Sequence, residues 1–262
     1  MCRLLGYFGA SVPLDRLLYK PEHSLIVQSY QPREMTAGLL NADGFGVGWY
    51  HPQRDVEPFF YKNTLPIWND VNLPSLSRYV ESGCVLANVR SATAGLSVDL
   101  SNCQPFQAQH VSGIHNGFIN NFRQTLYRPI RERLSDQVYQ SIQGTTDSEH
   151  IFALLVNELV EDPQTSLTEA LTRSLTILSK LGEKYATDFS ANLIISDGQQ
   201  MVAARYASRN PVPSLYWLRD DPLFPDAVLI ASEPLFDGNW ISFRDRSILT
   251  IDHDLNIETH DL

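Results

Sequence analysis

The order of the apolar segments constrains the fold of this chain more than any other feature. Short apolar runs bounded by turn residues fill the first half, two longer segments with helical periodicity follow, and short runs then return. Runs of the first kind are typical of strands, and the longer segments are typical of helices. The predicted strands are 3–8, 44–50, 84–90, 111–115, 192–196, 201–206, 215–218, 227–231 and 247–251.

Both predicted helices have recognisable start signals. The segment 147–161 follows Thr146, with a glutamate three residues later, which is the pattern of a capping box. The segment 166–181 begins with the same pattern at Ser166, and Gly182 is expected to end it.

Strands, then helices, then strands is the order of an α+β fold. The regular β–α–β alternation of a doubly wound nucleotide-binding fold is missing. The pattern predicts a helical layer on an antiparallel sheet, with a stack of two sheets as the further option. We find no linker rich in Gly, Ser or Pro, so residues 2–262 are expected to form a single domain.

Charge and composition exclude several classes of function. The chain has 30 acidic and 20 basic residues, a balance that argues against nucleic acid and against anionic membrane surfaces as partners. It has no apolar run near the roughly 20 residues of a spanning helix, and its first residues lack the pattern of a signal peptide. Three cysteines are too few for a disulfide framework, so the predicted location of the protein is the reducing cytoplasm. The histidines form no recognisable ligand pattern, so neither a metal nor a cofactor is predicted.

Cys2 is the most informative residue. A small residue at this position permits removal of Met1, and the new first residue would carry both a thiol and a free α-amine. An α-amine has a pKa of about 7.7–8.0, against about 10.4 for a lysine, so it can act as a base near neutral pH. A cysteine thiol is also a good nucleophile. The simpler alternative is a small residue after Met1 whose thiol is buried in the first strand.

Three other positions have both a functional and a simpler interpretation. Arg90 ends an apolar strand and could form a bidentate interaction with a carboxylate or a surface salt bridge. Asn116 and Gly117 could form a hairpin turn or an oxyanion hole. Asp147 lies in the first turn of a predicted helix, where it could stabilise the helix dipole or receive a substrate ammonium group.

Taken together, these motifs and their order resemble the class II glutamine amidotransferases, a family of N-terminal nucleophile hydrolases. After Cys2, the motifs are NADGFG at 41–46, RSATAG at 90–95, NCQPF at 102–106, HNG at 115–117 and TTDSE at 145–149. The resemblance extends more loosely to SEPL at 232–235. It implies a four-layer αββα sandwich of two antiparallel sheets.

The resemblance also implies a role for each matching residue. Cys2 would be the nucleophile and its α-amine the base. Asn116 and Gly117 would form the oxyanion hole. Arg90 and Thr93 would bind the α-carboxylate of a glutamyl group, and Asp147 would bind its α-ammonium.

The beginning of the chain and the SEPL segment look like the stand-alone branch of this family, which includes the γ-glutamyl amidohydrolase of ergothioneine biosynthesis and glutathione-degrading subunits. Ser91 replaces the aromatic residue that shields the nucleophile in domains fused to synthases. The expected reaction is hydrolysis of a γ-glutamyl amide through a thioester on Cys2. Arg3, Gln104 and the segment 217–240 are candidates for contacting the leaving amine.

Two other hypotheses remain open at this point. The chain could be a glutaminase subunit that passes ammonia to a partner enzyme, or a scaffold that binds glutamyl groups without reacting. The predicted partner is a small γ-glutamyl substrate, and either a partner enzyme or a second copy of the chain is compatible with the sequence.

Overall fold

The computed structural model describes residues 2–35, 38, 40–51, 55–92 and 98–262, with the backbone alone at 55 and 56. Within these ranges two antiparallel sheets form the centre of the molecule. In chain order the strands are β1 (Arg3–Pro13), β2 (Phe45–His51), β3 (Asp55–Asn63), β4 (Glu81–Val89), β5 (Phe106–Ala108), β6 (Val111–Ile119), β7 (Phe189–Ser196), β8 (Met201–Ala207), β9 (Tyr216–Asp221), β10 (Phe224–Ala231), β11 (Ile241–Ser242), β12 (Ser247–Ile251) and β13 (Ile257–Asp261).

The 7-stranded sheet has the order β11-β9-β10-β1-β4-β2-β3, and the 6-stranded sheet has the order β13-β12-β8-β7-β6-β5. The α-helices are α1 (Leu14–Leu18), α2 (Leu25–Tyr30), α3 (Leu73–Tyr79), α4 (Tyr127–Arg131), α5 (Asp136–Ser141), α6 (Asp147–Glu161) and α7 (Leu167–Lys184). Among the described residues, no helix is long and apolar enough to cross a membrane.

Alternating side chains place the two sheets face to face. Leu4 and Phe8 of β1 belong to one buried cluster with Ile114 of β6 and Ile194 of β7, so this cluster lies between the sheets. Such alternation is the normal geometry of a strand that is covered on both faces. The inter-sheet core therefore includes β1 and β6, the strands on which the candidate site depends.

The outer faces are covered by helices. Leu5 and Tyr7 of β1 pack with apolar residues of α1, α2 and α3, including Leu14 and Leu25. On the other sheet, Leu193 packs with the apolar faces of α6 and α7. The layers are thus helix, sheet, sheet and helix, which confirms the α+β class and the αββα sandwich.

Helix boundaries follow the start signals closely and the stop signal less well. α6 has the predicted bounds, and Ser166 and Glu169 form a complete capping box at α7. However, α7 continues past Gly182 to Lys184. Gly182 serves close packing instead, because an added Cβ would lie 3.0 Å from the carbonyl oxygen of Thr187.

The predicted apolar runs all lie in strands, and the strands absent from the prediction are β3, β5, β11 and β13. Each of these lies at a sheet edge or is very short. β13, for example, is mostly exposed. Such strands lack a continuous apolar face, which removes the signal that periodicity detects.

Candidate active site

Cys2 immediately precedes β1 and lies beside the end of β4, because Arg3 pairs with Val89 in the ladder. Its Sγ is 4.0 Å from the carbonyl oxygen of Ser91, and the residue is half-buried. Continuing the alternation from Leu4, the Cys2 side chain is on the inter-sheet face. The candidate nucleophile and Arg90 therefore meet at the same end of the 7-stranded sheet.

Arg90 is buried, with 3% of its surface exposed. Its Nη1 donates to the carbonyl oxygen of Asp43 at 3.2 Å, and its Nη2 is buried without a hydrogen-bond partner in the part of the chain that the structure describes. A surface salt bridge is therefore the wrong interpretation. A buried, unpaired guanidinium N–H group is unfavourable unless a ligand completes it, and an anion suits it best.

The segment 41–46 holds Arg90 in place. The backbone N–H of Arg90 donates to the carbonyl oxygen of Gly44 at 2.8 Å, and that of Asp43 donates to the carbonyl oxygen of Arg90 at 3.1 Å. The Asp43 carboxylate also accepts the backbone N–H of Ala92 at 2.8 Å. The glycine-rich motif thus acts as a rigid support for the arginine.

Asn116 and Gly117 lie within β6, so the hairpin-turn interpretation is wrong. Asn116 is fully buried on the inter-sheet face, two residues from Ile114, and neither its Oδ1 nor its Nδ2 has a partner among the described residues. At Gly117, an added Cβ would lie 2.0 Å from the carbonyl oxygen of Ser190. The site therefore contains an unpaired amide beside a position where only glycine fits.

The backbone of β6 presents a row of N–H groups along one edge. The N–H of His115 donates to Gln104 Oε1 at 2.5 Å, and the N–H of Ile119 donates to Asp147 Oδ2 at 2.8 Å. Because alternate N–H groups of a strand point to the same edge, the N–H of Gly117 points there too, between the other two. Strand β5 pairs only as far as Gly113, so it does not cover this part of the edge.

Asp147 is the first residue of α6 and is half-buried at this same edge. One carboxylate oxygen accepts the N–H of Ile119, and the other accepts the N–H of Ser148 at 2.9 Å. The carboxylate is thereby oriented by the backbone, and it retains capacity for further donors. Thr93, the other predicted substrate contact, lies outside the described residues.

The NCQPF segment connects the two sheets at the site. Cβ atoms added at Gly44 and Gly46 would lie 2.6 Å from Cys103 Sγ and 2.0 Å from the carbonyl oxygen of Gln104. Gln104 Nε2 donates to the carbonyl oxygen of His115, and Gln104 Oε1 accepts the N–H of the same residue. Since Gly44 pairs with Arg90 and His115 precedes Asn116, this segment brings the arginine and the asparagine to one region.

These contacts correct part of the interpretation for the leaving amine. Gln104 is 2% exposed and both ends of its amide are occupied, and Arg3 is fully buried with its guanidinium bonded to Glu233. The Gln104 side chain is therefore not free to contact a leaving group. The Arg3 guanidinium is held by Glu233 and by the Cys2 carbonyl oxygen, and its Nη2 is buried without a partner among the described residues. Their polar character reflects internal hydrogen bonding.

His115 adds a neutral polar group beside the site. Its Nδ1 lies 2.8 Å from Ser148 Oγ, and its Nε2 lies 3.3 Å from the carbonyl oxygen of Ser190. Burial lowers the pKa of His115, which outweighs the opposite effect of the Asp147 charge. The imidazole therefore orients its neighbours without carrying charge.

Two functional candidates were not predicted from the sequence. Asn88 of β4 is fully buried, and both atoms of its amide lack partners in the described ranges. It shares the inter-sheet face with Leu86, so it lines the same space as Asn116. Its only signal in the sequence is a polar residue in an otherwise apolar strand. Glu233, in the SEPL segment, accepts a hydrogen bond from Arg3 Nη1 at 3.0 Å.

A half-buried thiol, a buried arginine, an unpaired amide and a row of backbone N–H groups lie at one end of an αββα sandwich, an arrangement suited to amidohydrolase chemistry. None of the described residues form a group of three or more His, Cys, Asp or Glu side chains able to hold a metal ion. The chemistry available here is nucleophilic attack with electrostatic stabilisation.

Comparison with known proteins identifies the family of this chain. The family model described as "Glutamine amidotransferases class-II" matches residues 1–233, and the chain belongs to this family. It is a cysteine-dependent amidohydrolase. The chain is 30% identical to "Probable glutamine amidotransferase DUG3" of Saccharomyces cerevisiae, with coverage of 96% of this chain and 82% of the relative. It is also 30% identical to the γ-glutamyl-hercynylcysteine sulfoxide hydrolase of Mycobacterium tuberculosis, with coverage of 96% and 93%.

Solved structures show the same fold. A class II glutamine aminotransferase domain protein from Silicibacter pomeroyi has a TM-score of 0.72 at 26% identity, with coverage of 99% of this chain and 98% of that chain. The glutamine phosphoribosylpyrophosphate amidotransferase of Bacillus subtilis has a TM-score of 0.67 at 19% identity, with coverage of 99% of this chain and 49% of that chain.

Proposed function

We propose that this protein hydrolyses a γ-glutamyl amide through a γ-glutamyl thioester on Cys2. The observation that carries the proposal is the placement of the Cys2 thiol beside Arg90, whose buried Nη2 has no partner among the described residues. That guanidinium would bind the α-carboxylate of the glutamyl group, with Thr93. Asp147 would bind the α-ammonium, because its carboxylate is oriented at the free edge of β6.

The first half of the reaction forms the thioester. With Met1 removed, the α-amine of Cys2 takes the thiol proton, and the thiolate attacks the amide carbon. Asn116 Nδ2–H and the Gly117 N–H stabilise the negative oxygen that develops. The α-ammonium then gives its proton to the leaving nitrogen, the C–N bond breaks, and the amine departs.

The second half returns the enzyme to its starting state. The α-amine takes a proton from water, and the resulting hydroxide attacks the thioester carbon. The C–S bond breaks, the thiolate recovers the proton, and glutamate is released. No step needs a metal or cofactor. A reducing compartment, such as the cytoplasm predicted from the cysteine count, would keep the thiol available.

The leaving amine that we propose is part of a γ-glutamyl conjugate like those of ergothioneine biosynthesis. The similarity to the mycobacterial hydrolase, over nearly the full length of both chains, supports this choice. The alternative is a glutaminase or glutathione-degrading subunit that works with a separate partner. The similarity to the probable glutamine amidotransferase of yeast is compatible with this alternative. A panel of γ-glutamyl conjugates, glutathione and glutamine, each assayed by glutamate release, would separate these functions.

The mechanism predicts that Cys2→Ser folds normally but loses nearly all hydrolysis, because the hydroxyl is a far weaker nucleophile than the thiol. Intact mass before and after an electrophilic glutamine analogue should show loss of Met1 and one adduct on Cys2 of the wild-type protein. Cys84 and Cys103, both buried, serve as internal controls. A label on either of them instead of Cys2, or full activity in the serine variant, would refute the proposal.

A further inference from the structure

A buried carboxylate, Glu233, lies outside the set of residues assigned above to the candidate site. Glu233 is 1% exposed, and its two oxygens accept four hydrogen bonds. The donors are Arg3 Nη1 at 3.0 Å, His23 Nε2 at 2.7 Å and the backbone N–H groups of Arg33 at 2.8 Å and Glu34 at 3.0 Å. We call these five residues the Glu233 network.

The network reaches Cys2 through Arg3. Arg3 Nε donates to the carbonyl oxygen of Cys2 at 2.8 Å while Nη1 of the same guanidinium binds Glu233. Because the guanidinium is planar and rigid, the hydrogen bond from Nη1 to Glu233 restrains the direction of the Nε–H bond, while Nη2 is buried without a partner among the described residues. The position of the Cys2 carbonyl is thus set by a residue far along the chain.

The Arg3 and Glu233 side chains lie on the face of β1 opposite to the Cys2 side chain. Side chains alternate along β1, so Arg3 shares the face of Leu5, which is the helix-covered face, whereas Cys2 shares the inter-sheet face of Leu4. His23, which precedes α2, lies on that helical side too. The network therefore has no direct route to the substrate, and its influence passes through the backbone of Cys2.

A first residue needs such a contact more than other residues do. After removal of Met1, Cys2 is held by one peptide bond only, and terminal residues are poorly ordered unless they are tied down. The α-amine must remain free to move protons, so the carbonyl is the remaining backbone group that can hold the residue. The hydrogen bond from Arg3 occupies that carbonyl.

The charge state of Glu233 suits this task. Burial raises the pKa of Glu233, but the hydrogen bonds from His23, Arg33 and Glu34 and the charge of Arg3 outweigh that effect and hold the pKa below its usual range. The carboxylate therefore stays ionised and pairs with Arg3 at neutral pH.

We propose that Glu233 is a positioning residue for the amidohydrolase reaction, which acts through Arg3 to hold Cys2 in line with the substrate carbonyl. The inference rests on the proposed role of Cys2 as nucleophile. It predicts a loss in the rate of the chemical step without loss of substrate affinity, since Arg90 and Asp147 are not part of the network.

The direct test is Glu233→Gln, which keeps the shape of the side chain and removes its charge. We expect kcat to fall about 10- to 100-fold, the cost of a small misplacement of a reacting group, with KM little changed. Labelling of Cys2 by an electrophilic glutamine analogue should slow similarly, whereas labelling by iodoacetamide, which needs no alignment, should keep its rate.

Asp70→Asn is the matched control for a general loss of stability. Asp70 is also a buried carboxylate, 6% exposed, and it accepts hydrogen bonds from Tyr61, Asn63 and the backbone N–H groups of Asn72 and Leu73. It makes no hydrogen bond to Cys2 or Arg3. Both variants should unfold at lower temperature than the wild type, but Asp70→Asn should retain kcat.

Arg3→Lys provides a second, independent test, and it replaces Glu233→Gln if that variant does not fold. Lysine keeps the charge but cannot reproduce the forked geometry that joins the Cys2 carbonyl to Glu233. We expect the same loss of kcat, and no further loss when the two substitutions are combined.

Wild-type kcat in folded Glu233→Gln or Arg3→Lys would overturn the inference, as would an equal loss of kcat in Asp70→Asn. In both cases an active wild-type protein labelled on Cys2 would leave the proposed function intact. A wild-type protein with neither turnover nor label on Cys2 would instead overturn the proposed function and the inference with it.

Discussion

At the scale of single residues, Asn116 shows how a cost in stability indicates a function. A buried amide without partners is unfavourable by about 1–3 kcal/mol, and Asn116 has two unpaired atoms. Its neighbour across the ladder, Asn192, is equally buried but donates to the carbonyl oxygens of Pro213 and Ser214. Two adjacent asparagines thus differ in whether they support the fold.

Asn116→Ala should lower kcat about a hundred- to a thousand-fold, because it removes one donor of the proposed oxyanion hole. Its thermal midpoint should equal or exceed that of the wild type, since no hydrogen bond within the described chain is lost and an unpaired buried amide is removed. Steady-state kinetics and thermal unfolding measure both effects.

Asn192→Ala is the companion variant and should show the opposite balance. It loses two hydrogen bonds to backbone carbonyls, so it should be destabilised by about 1–3 kcal/mol while losing far less activity. Full kcat in Asn116→Ala, or a greater loss of kcat in Asn192→Ala, would contradict these assignments.

At the scale of elements, the first turn of α6 combines a helix cap with Asp147, a residue of the candidate site. Thr146 Oγ accepts the N–H of Glu149 at 3.2 Å, but the Glu149 carboxylate does not return to Thr146. It accepts the N–H groups of Gln143 and Gly144, so the predicted capping box is only half formed. The Glu149 carboxylate therefore stabilises the turn before α6, and this turn positions Asp147 next to β6.

The same turn contains a histidine that should make the stability of the protein depend on pH. His150 Nδ1 lies 2.7 Å from the carbonyl oxygen of Thr146, and its Nε2 accepts from Arg131 Nε at 2.9 Å. Burial, with a smaller effect of the Arg131 charge, lowers the pKa of His150 to about 4. The folded protein therefore favours the neutral imidazole.

Because an unfolded histidine titrates near 6.5, the unfolded chain binds this proton more tightly than the folded one. The free energy of unfolding should fall by up to roughly 3 kcal/mol as the pH drops from about 6.5 to about 4. Thermal midpoints of the wild type and His150→Gln over this range measure the effect. A difference between them that does not change with pH would contradict it.

At the scale of the whole molecule, the site depends on the meeting of distant parts of the chain. Strand β1 lies between β10 and β4 in the 7-stranded sheet. The β1–β10 pairing continues through hydrogen bonds between Leu4 and Ser232, which brings Arg3 next to Glu233. The ion pair thus links the start of the chain to the end of β10, and its contribution should be visible in global stability.

The lowered pKa of Glu233 determines how its contribution to the free energy of unfolding changes with pH. Its stabilising effect is fully present above the unfolded pKa of about 4.3 and is lost as the pH falls through the lower folded pKa. The wild type should therefore exceed Glu233→Gln in thermal midpoint at neutral pH, and this advantage should shrink below pH about 4.3. An advantage that persists unchanged in acid would show that the charge of Glu233 does not stabilise the fold.

Much of the fold and several site residues could be predicted because their signals are local. Helical period and capping residues predict α6 and α7, and β-type apolar runs predict the inner strands of both sheets. Cys2, Arg90, Asn116, Gly117 and Asp147 were predicted from motifs within short segments, and their roles in catalysis stay predictions. Edge strands such as β13 could not be predicted from the sequence because they have no continuous apolar face.

Local chemistry along the chain settled the helices, the inner strands and the motifs, because periodicity, capping and turn residues act between near neighbours. Long-range pairing settled the rest. Which face Arg3 occupies, whether Asn116 has a partner and which carboxylate reaches the back of Cys2 all follow from strand register and from the stacking of two sheets. Those depend on contacts between residues far apart in the chain, which no short segment encodes.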